Sequence, residues 1–226
     1  MKKPLRNIVI VITGSSRGIG KTVSEALSKE GAKIVCISRS ESPFKSKYLV
    51  RIPADVTDEN QVRDAIEATI KHYGKIDVLI NNVGMFKEKF LEEFTSQEFD
   101  EIINTNIKSM FLLSRTVIPY MKKRRNGLII NMGSKISHNT NISPKRVLYA
   151  TTKYAVEGFS SALSKEVRKY GIRVSCLMPS TVNSFFTLSP KKYLSLSQIA
   201  EIISMMIKFN DIQFENLIVR SKYQNI

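Results

Sequence analysis

Two side chains in the stretch VLYATTKYAV (147–156) have the types and the spacing of an acid–base pair. Tyr149 and Lys153 are four residues apart, so on a helix they share one face and lie about 6 Å apart. The same face continues through mostly apolar positions, as in a helix that packs on a core: Val156, Ser160, Leu163 and Val167. The pattern therefore directs a phenol and an ammonium inward, where an unpaired charge is costly.

Proton exchange gives this arrangement a chemical purpose. A tyrosine with its ordinary pKa of about 10 is a poor acid–base catalyst at neutral pH, and a neighbouring cation lowers the pKa of such a phenol. Tyr149 is thus a candidate to exchange a proton with a carbonyl or an alcohol. The alternative is a structural helix on which Tyr149 packs and Lys153 extends to water.

A glycine-rich turn provides a second candidate site. The apolar run NIVIVIT (7–13) leads into TGSSRGIG (13–20), and a helical pattern follows at once. Glycines at 14, 18 and 20 allow the backbone to approach a pyrophosphate and the helix to pack tightly on the sheet. The N-terminus of that helix offers N–H groups and partial positive charge to phosphates. A purely structural strand-to-helix turn is the alternative.

Alternating elements position these two candidate sites. Short apolar runs, typical of parallel strands covered on both faces, alternate with helical patterns. The predicted strands are 7–13, 33–38, 77–81, 127–132, 172–178 and, more weakly, 215–220. The predicted helices lie near 18–30, 58–73, 96–123, 148–170 and 197–208, with a capping box of Thr95 and Glu98. We predict one α/β domain over residues 1–226, a three-layer doubly wound fold with a mostly parallel sheet of about seven strands.

Composition excludes several classes of protein. The chain has 226 residues, no apolar run of the roughly 18 residues that span a membrane, and no cleavage site of a signal peptide after its first apolar run. Cys36 and Cys176 lie in apolar strands, and the two histidines are far apart, so we expect neither a disulfide nor a metal site. The predicted location is the cytoplasm.

The net charge of +15 is spread along the chain, with its densest cluster at a predicted helix end, residues 122–125. We find no nucleic-acid-binding motif, so solvated charge is the favoured interpretation and no nucleic-acid partner is predicted. Attraction to a phosphorylated or acidic ligand is the alternative.

Six motifs in order resemble the short-chain dehydrogenase/reductase family. After the turn T-G-x-x-x-G-x-G come Asp55-Val56 in ADVTD, the turn NNVG (81–84), Asn106 in NTNIKSMF, Ser134 in NMGS and the Tyr149–Lys153 pair. The resemblance covers residues 7 to about 180 and implies a Rossmann fold that transfers hydride between a nicotinamide and a carbonyl or alcohol. An NADP(H)-binding regulatory protein without turnover is the alternative.

The resemblance implies a cofactor site without a metal. Its predicted residues are Gly14, Ser16, Arg17, Gly18, Ile19, Gly20, Ser38, Arg39, Asp55, Val56, Asn82, Val83, Gly84, Tyr149, Lys153, Pro179, Thr181, Val182 and Ser184. NAD-preferring members usually carry an acid where Ser38 stands, and here Arg39 and Arg17 can pair with a 2′-phosphate. We therefore predict NADP(H), with NAD(H) as the second possibility. A solvated Arg39 is the alternative.

The resemblance also implies four catalytic residues: Asn106, Ser134, Tyr149 and Lys153. Tyr149 would be the general acid in reduction, and Lys153 would tune it and bind the nicotinamide ribose. Ser134 would hold the substrate oxygen, with nearby Ser137 as a rival. Asn106 would hold a water in a proton relay to the lysine.

Asn106 is the polar member of a predicted helical stripe, and a structural asparagine is the alternative to the relay. The stripe consists of Phe99, Ile103, Asn106, Met110, Leu113 and Val117.

The chain departs from the family pattern after its sixth predicted strand. PSTVNS (179–184) has Ser180 in place of a glycine and Ser184 in place of a threonine. A short lid about 184–196, with Phe185 and Phe186 as an apolar wall, and an unusual flap over 137–146 are expected beside the site.

Among family members, the nearest pattern is that of 3-oxoacyl-carrier-protein reductases. The predicted partners are a small carbonyl or alcohol substrate, an acidic acyl carrier protein and further copies of the chain in a homotetramer or homodimer. Arg125 stands where such reductases place a carrier-binding arginine, whereas Tyr170 replaces another.

Overall fold

The computed structural model describes residues 5–40, 44–138, 142–183 and 193–223. Seven strands are present: β1 (Val9–Thr13), β2 (Lys33–Ile37), β3 (Leu49–Ile52), β4 (Val78–Asn81), β5 (Gly127–Met132), β6 (Ile172–Pro179) and β7 (Asn216–Val219). They form one sheet in the order β3-β2-β1-β4-β5-β6-β7, and every pair is parallel. The predicted doubly wound fold of about seven strands is confirmed, and β3 is the strand that the six predicted ranges did not include.

Six α-helices connect the strands. They are α1 (Gly18–Lys29), α2 (Glu59–Tyr73), α3 (Ser96–Ile103), α4 (Ser109–Arg124), α5 (Val147–Val167) and α6 (Leu196–Lys208), with short 3₁₀ turns at Leu91–Glu93, Lys135–His138 and Arg168–Tyr170. Among the described residues, none of the helices has both the length and the apolar character needed to cross a membrane. The predicted lid, about 184–196, lies mainly outside the described residues and stays a prediction. The single domain over 1–226 also stays a prediction.

The core has two layers because both faces of the strands are covered. Ile10 and Ile12 belong to an apolar cluster beneath α1 and α6, whereas Val11 between them belongs to a cluster beneath α2, α4 and α5. Neighbouring strand β2 divides in the same way, with Ile34 on one face and Val35 on the other. Successive side chains of a strand point to opposite faces, which explains why the predicted strands show no polar alternation.

The helix predicted over 96–123 is in fact interrupted. A π-helical turn at Asn104–Lys108 separates α3 from α4 and inserts one extra residue into the helical phase. The predicted stripe from Phe99 to Val117 is therefore not one continuous face: Phe99 is 44% exposed, and Ile102 is buried instead. The capping box at Thr95 is confirmed by reciprocal bonds of 3.1 Å with Glu98.

The carboxyl ends of the parallel strands meet at one edge of the sheet. This edge carries Thr13, Asn81 and Met132 at the ends of β1, β4 and β5, and the starts of α1 and α5 lie beside it. Ligands of open α/β sheets bind at this edge. The fold thus brings the glycine-rich turn and the Tyr149–Lys153 pair to the same side of the molecule.

Candidate active site

Lys153 points into the protein from the second turn of α5. It is 7% exposed, its Nζ donates a hydrogen bond of 2.8 Å to the carbonyl oxygen of Met132, and Nζ lies 5.6 Å from the centre of the Tyr149 ring. The rest of the predicted face, from Val156 to Val167, is buried. The structure therefore holds the ammonium at the end of β5, and the alternative in which Lys153 extends to water is wrong.

Gly84 leaves the space in front of this ammonium open. A Cβ atom added to Gly84 would lie 3.7 Å from Lys153 Nζ and 3.8 Å from Asn106 Oδ1. Gly84 itself is exposed, and Tyr149 is half-buried. A ligand can therefore approach the lysine and the tyrosine across the turn NNVG.

Asn106 is buried in the π-helical turn and ties three elements together. Its Oδ1 accepts from Met85 N at 2.6 Å, and its Nδ2 donates to Met85 O and to Thr152 Oγ1, both at 3.0 Å. Thr152 in turn donates to Tyr149 O at 2.8 Å. Both amide hydrogens of Asn106 are thus committed to protein groups, and a water relay, which stays a prediction, would have to use other atoms.

Ser134 and its rival Ser137 differ in where their hydroxyls point. Ser137 is buried and donates to Ser134 O at 3.1 Å and to the Met178 sulfur at 3.4 Å. The half-buried Ser134 hydroxyl accepts from Ile136 N at 3.3 Å, which leaves its own proton free to be donated. Ser134 is therefore the better placed of the two to polarise a substrate oxygen.

The glycine-rich turn is shaped by close packing. Gly14 and Gly18 have positive φ angles of 66° and 55°. A Cβ atom at Gly20 would lie 2.4 Å from Gly14 O and 2.6 Å from Asn82 Nδ2, so only glycine fits there. The N-cap residue Arg17 makes no side-chain cap, which leaves the first N–H groups of α1 available to a phosphate. Ser16 and Ile19 lie half-buried in the same turn.

Thr13 links two parts of the site, a role that the motifs in the sequence did not predict. Its Oγ1 accepts from Asn82 N at 3.0 Å and from Val83 N at 3.2 Å, while Asn82 Nδ2 donates to Thr13 O at 2.9 Å. These bonds join the glycine-rich turn to NNVG. The signal was available, because Thr13 is the polar residue that ends an apolar run.

The part of the site that is predicted to bind the adenosine half of the cofactor, the adenosine end, is much more exposed to solvent than the region around Lys153. Arg17 and Arg39 are exposed, and Arg39 Nη1 lies 3.6 Å from Asp55 Oδ2. Ser38 is buried and donates to Ser40 O at 2.9 Å. Burial raises the pKa of Asp55, but hydrogen bonds from Thr57 and the charge of Arg39 more than offset it, so the pKa lies below its usual value.

The segment after β6 supplies the remaining predicted residues. Pro179 pairs with Val219, Thr181 is exposed, and half-buried Val182 forms a parallel bridge with Leu194. Val56 is buried at the start of the loop before α2. The predicted cofactor contact Ser184 lies outside the described residues. No cluster of metal ligands occurs in the described part of the chain.

Comparison with known proteins assigns this arrangement to a family. A family model described as short chain dehydrogenase matches residues 8–192, which extend from β1 past the end of β6. The chain belongs to the short-chain dehydrogenase family. It is accordingly an NAD(P)-dependent oxidoreductase, as its motifs predicted.

Relatives of this short-chain dehydrogenase include reductases of two kinds. The 3-oxoacyl-[acyl-carrier-protein] reductase FabG of Thermotoga maritima is 32% identical over 192 residues, which cover 81% of this chain and 77% of that protein. The 3-ketodihydrosphingosine reductase of Bacteroides thetaiotaomicron is 40% identical over 181 residues, which cover 79% of this chain and 65% of that protein.

Solved structures share the whole fold. A 3-ketoacyl-(acyl-carrier-protein) reductase from Brucella melitensis, complexed with NADH, has a TM-score of 0.89 and 25% identity, and the match covers 98% of this chain and all of that one. An alcohol dehydrogenase from Thermococcus sibiricus, complexed with 5-hydroxy-NADP, has a TM-score of 0.85 and 26% identity, covering 97% and 98%.

Proposed function

We propose that this short-chain dehydrogenase is an NADPH-dependent reductase of a 3-oxo group on an acyl substrate, such as a 3-oxoacyl thioester. The observation that carries the proposal is the buried Lys153 ammonium, fixed by Met132 O beside the Tyr149 ring. A regulatory binder of NADP(H) would use Lys153 for the nicotinamide ribose, but it would have no use for a phenol held beside that buried cation.

The turn between β1 and α1 fits a dinucleotide. A Cβ atom at Gly20 would collide with Gly14 O and Asn82 Nδ2, so the turn is narrow. The N-terminus of α1 has no side-chain cap, which suits it to a phosphate. Residues 14–20 would hold the pyrophosphate, Lys153 the nicotinamide ribose, and Val83 and Gly84 would line the nicotinamide side. Bound NADPH would supply the hydride to the carbonyl carbon.

The protein's own residues would manage the proton. Ser134 would donate a hydrogen bond to the substrate oxygen, and Tyr149 would transfer its hydroxyl proton to that oxygen as negative charge develops there. The ammonium of Lys153 would be the positive charge nearest to the oxygen that remains on Tyr149. Asn106 would keep its family role in proton return only through atoms other than its amide hydrogens, since Met85 and Thr152 occupy those.

The preference for NADPH rests on Arg39 and Arg17. Neither guanidinium is buried, and the pairing of Arg39 with Asp55 at 3.6 Å is long enough to yield to a 2′-phosphate. Ser38 supplies no carboxylate that would repel that phosphate. A kcat/KM that is equal for NADPH and NADH would refute the preference.

The 3-oxo substrate is favoured by the relatives' names. Both the 3-oxoacyl-[acyl-carrier-protein] reductase and the 3-ketodihydrosphingosine reductase act on a ketone at position 3, according to those names. The test is NADPH oxidation against a panel of simple ketones, aldehydes and 3-oxoacyl thioesters. Turnover of the thioesters at the highest kcat/KM is expected, whereas inactivity with every carbonyl would refute an enzyme of this type.

An acidic acyl carrier protein is proposed as the carrier of the substrate. The net charge of +15 would attract it, and Arg125 remains exposed where its Nη2 donates to Lys169 O at 3.0 Å. Tyr170 lies between the cations of Lys122 and Lys169. The Arg125→Ala variant should raise KM for a carrier-bound substrate and leave KM for a small thioester unchanged.

Assembly into a homotetramer or homodimer and a cytoplasmic location are also proposed. Large apolar side chains are exposed on α4 and α5, namely Phe111, Val147 and Tyr154. Such a surface favours association of copies. Light scattering should show an oligomer, and a monomer at micromolar concentration would contradict it.

A further inference from the structure

Phe86 is an aromatic side chain at the candidate active site that no motif predicted. It stands two residues after Gly84, on the loop that follows β4, and its ring packs edge-on against the Tyr149 ring, with centroids 4.8 Å apart at 80°. Despite this contact, 49% of Phe86 is exposed. Edge-to-face packing of this kind is favourable, and about half of the residue stays accessible to a ligand.

The ring of Phe86 is held in place from behind. The Arg146 guanidinium lies over it at 5.6 Å from the ring centre, and Arg146 Nε donates to Glu88 Oε1 at 2.6 Å. Asn106 binds both the N–H and the carbonyl of Met85, the residue immediately before Phe86. The ring is thus held by Tyr149 and Arg146, and the backbone before it by Asn106, before any ligand arrives.

The rest of the loop is fastened to α3 and to the segment before α5. Lys89 Nζ contacts both carboxylate oxygens of Glu98 at 2.7 and 2.9 Å, and Lys89 N donates to Lys145 O at 3.1 Å. The hydrogen bond from Lys89, with that from Thr95 N, lowers the pKa of Glu98 to about 2, so this attachment persists throughout the neutral range.

Phe90 on the same loop shows what an ordinary exposed phenylalanine looks like here. It is 44% exposed and has the Lys145 ammonium at 4.7 Å from its ring centre, but it makes no ring contact with Tyr149. Single exposed apolar residues are common and need no functional explanation. Phe86 differs because its partly exposed ring contacts the proposed proton donor.

We propose that Phe86 is a specificity-determining residue, whose fixed ring binds the aliphatic chain of the substrate next to the carbonyl that Tyr149 protonates. This inference rests on the proposed function. It adds that the site selects its substrate by the aliphatic chain as well as by the carbonyl group. Methylene groups that pack on the ring leave water, and each one that does so contributes about fourfold to affinity. A compact ketone gains nothing from the ring.

The test compares Phe86→Ala with the matched control Phe90→Ala. The probes are N-acetylcysteamine thioesters of increasing length, from 3-oxobutanoyl to 3-oxodecanoyl, assayed with NADPH. In the wild type kcat/KM should rise with chain length. Phe86→Ala should reduce the advantage in kcat/KM of the longest chain over 3-oxobutanoyl by about tenfold, through KM. Phe90→Ala should keep the wild-type profile.

A binding measurement separates this inference from the proposed function. Titration calorimetry with the corresponding 3-hydroxyacyl thioesters and NADP⁺ should show tighter binding of long chains by the wild type and not by Phe86→Ala. If the wild type binds chains in this way without reducing any carbonyl, the proposed function fails and the inference stands. If Phe86→Ala and the wild type share one chain-length profile in both assays, the inference is overturned.

Discussion

The two ends of the candidate cofactor site are built differently. At the reaction end, Lys153 and Asn106 are almost fully buried and bonded to Met132, Met85 and Thr152. At the adenosine end, Arg17 and Arg39 are exposed, and the side chain of Arg39 is 77% exposed in its pairing with Asp55. The proposed chemistry would therefore take place in a preorganised region, whereas the proposed recognition of the adenosine phosphate would depend on adaptable side chains.

This difference follows from what each end must do. A proton donor must be held in one geometry, and a buried network of hydrogen bonds provides that. A phosphate can be bound by a charge on a long side chain that folds over it once it arrives. Substitutions at the reaction end should therefore cost catalysis, while those at the adenosine end should change cofactor choice.

The largest effect is expected from Lys153→Met. The change removes a buried ammonium and retains a side chain of similar length, so kcat should fall by about 10³-fold or more. Met132 O loses its donor, which should lower the free energy of unfolding by about 1–3 kcal/mol. Steady-state kinetics and denaturant titration measure both. Retention of a tenth of the wild-type kcat would show that the cation is not needed.

Gly20→Ala tests the turn that joins the two ends. Its new Cβ atom would lie 2.4 Å from Gly14 O, and we expect weaker NADPH binding by about 10²-fold and a loss of about 1–3 kcal/mol of stability. Gly158→Ala is the matched control, since an added Cβ there meets nothing within 4 Å and alanine favours α5. Equal thermal stability and NADPH affinity in the two variants would contradict the packing argument.

Arg39→Ala tests the adenosine end alone. Loss of a charge-assisted bond to the 2′-phosphate should reduce the ratio of kcat/KM for NADPH over NADH by about 10- to 100-fold. Because Arg39 is exposed, melting temperature should not change. Arg63→Ala, an exposed arginine on α2, should leave the ratio as it is. An unchanged ratio in the Arg39 variant would mean that this guanidinium is only solvated.

Thr152→Val should have a smaller effect at the reaction end. It breaks the chain from Asn106 Nδ2 to Tyr149 O, and we expect kcat to fall by about tenfold with little change in NADPH affinity. Thr152→Ser should restore kcat. The neighbouring Thr151 is exposed, and among the described residues its hydroxyl bonds only to Val147 O. Thr151→Val is therefore the control. Identical kcat values for the two valine variants would exclude a positioning role for Thr152.

The least change is expected at the cysteines, which lie in separate buried clusters, Cys36 on β2 and Cys176 on β6. Burial raises the pKa of Cys176 to about 11 and also raises the pKa of Cys36. Both thiols thus stay protonated as pH rises through neutrality, and both are fully buried. A thiol reagent at pH 7 should modify neither in the native protein and both after denaturation. Modification of one thiol in the native state would show that one end opens locally.

Much of the reaction end could be predicted from the sequence because its residues occur in contiguous motifs. The helical spacing of Tyr149 and Lys153 already implied an inward face, and the apolar runs identified the strands around it. The short strand β3, Leu49–Ile52, was missed because its sequence LVRI is half-buried and includes a charge. The π-helical turn was missed since the stripe through Asn106 continues without a visible break.

Contacts between distant parts of the chain could not be predicted in this way. Nothing in the sequence distinguishes Thr152 from other helical threonines, because its partner Asn106 is distant in the chain. Phe86 likewise looks like an ordinary loop phenylalanine, because its contact with Tyr149 depends on where α5 packs. The adenosine end was still harder to predict from the sequence. An exposed arginine follows no packing pattern, so its pairing with Asp55 depends on the loop after β3.

Replacement of Tyr149 by phenylalanine tests the central claim most directly. The variant keeps the ring that packs on Phe86 and removes only the hydroxyl. NADPH oxidation with a 3-oxoacyl thioester and NADPH binding by calorimetry should be measured on the same preparation. We predict a loss of about 10³-fold or more in kcat, with a dissociation constant for NADPH within about twofold of the wild type. A phenylalanine variant that reduces the substrate at a comparable rate would contradict the account.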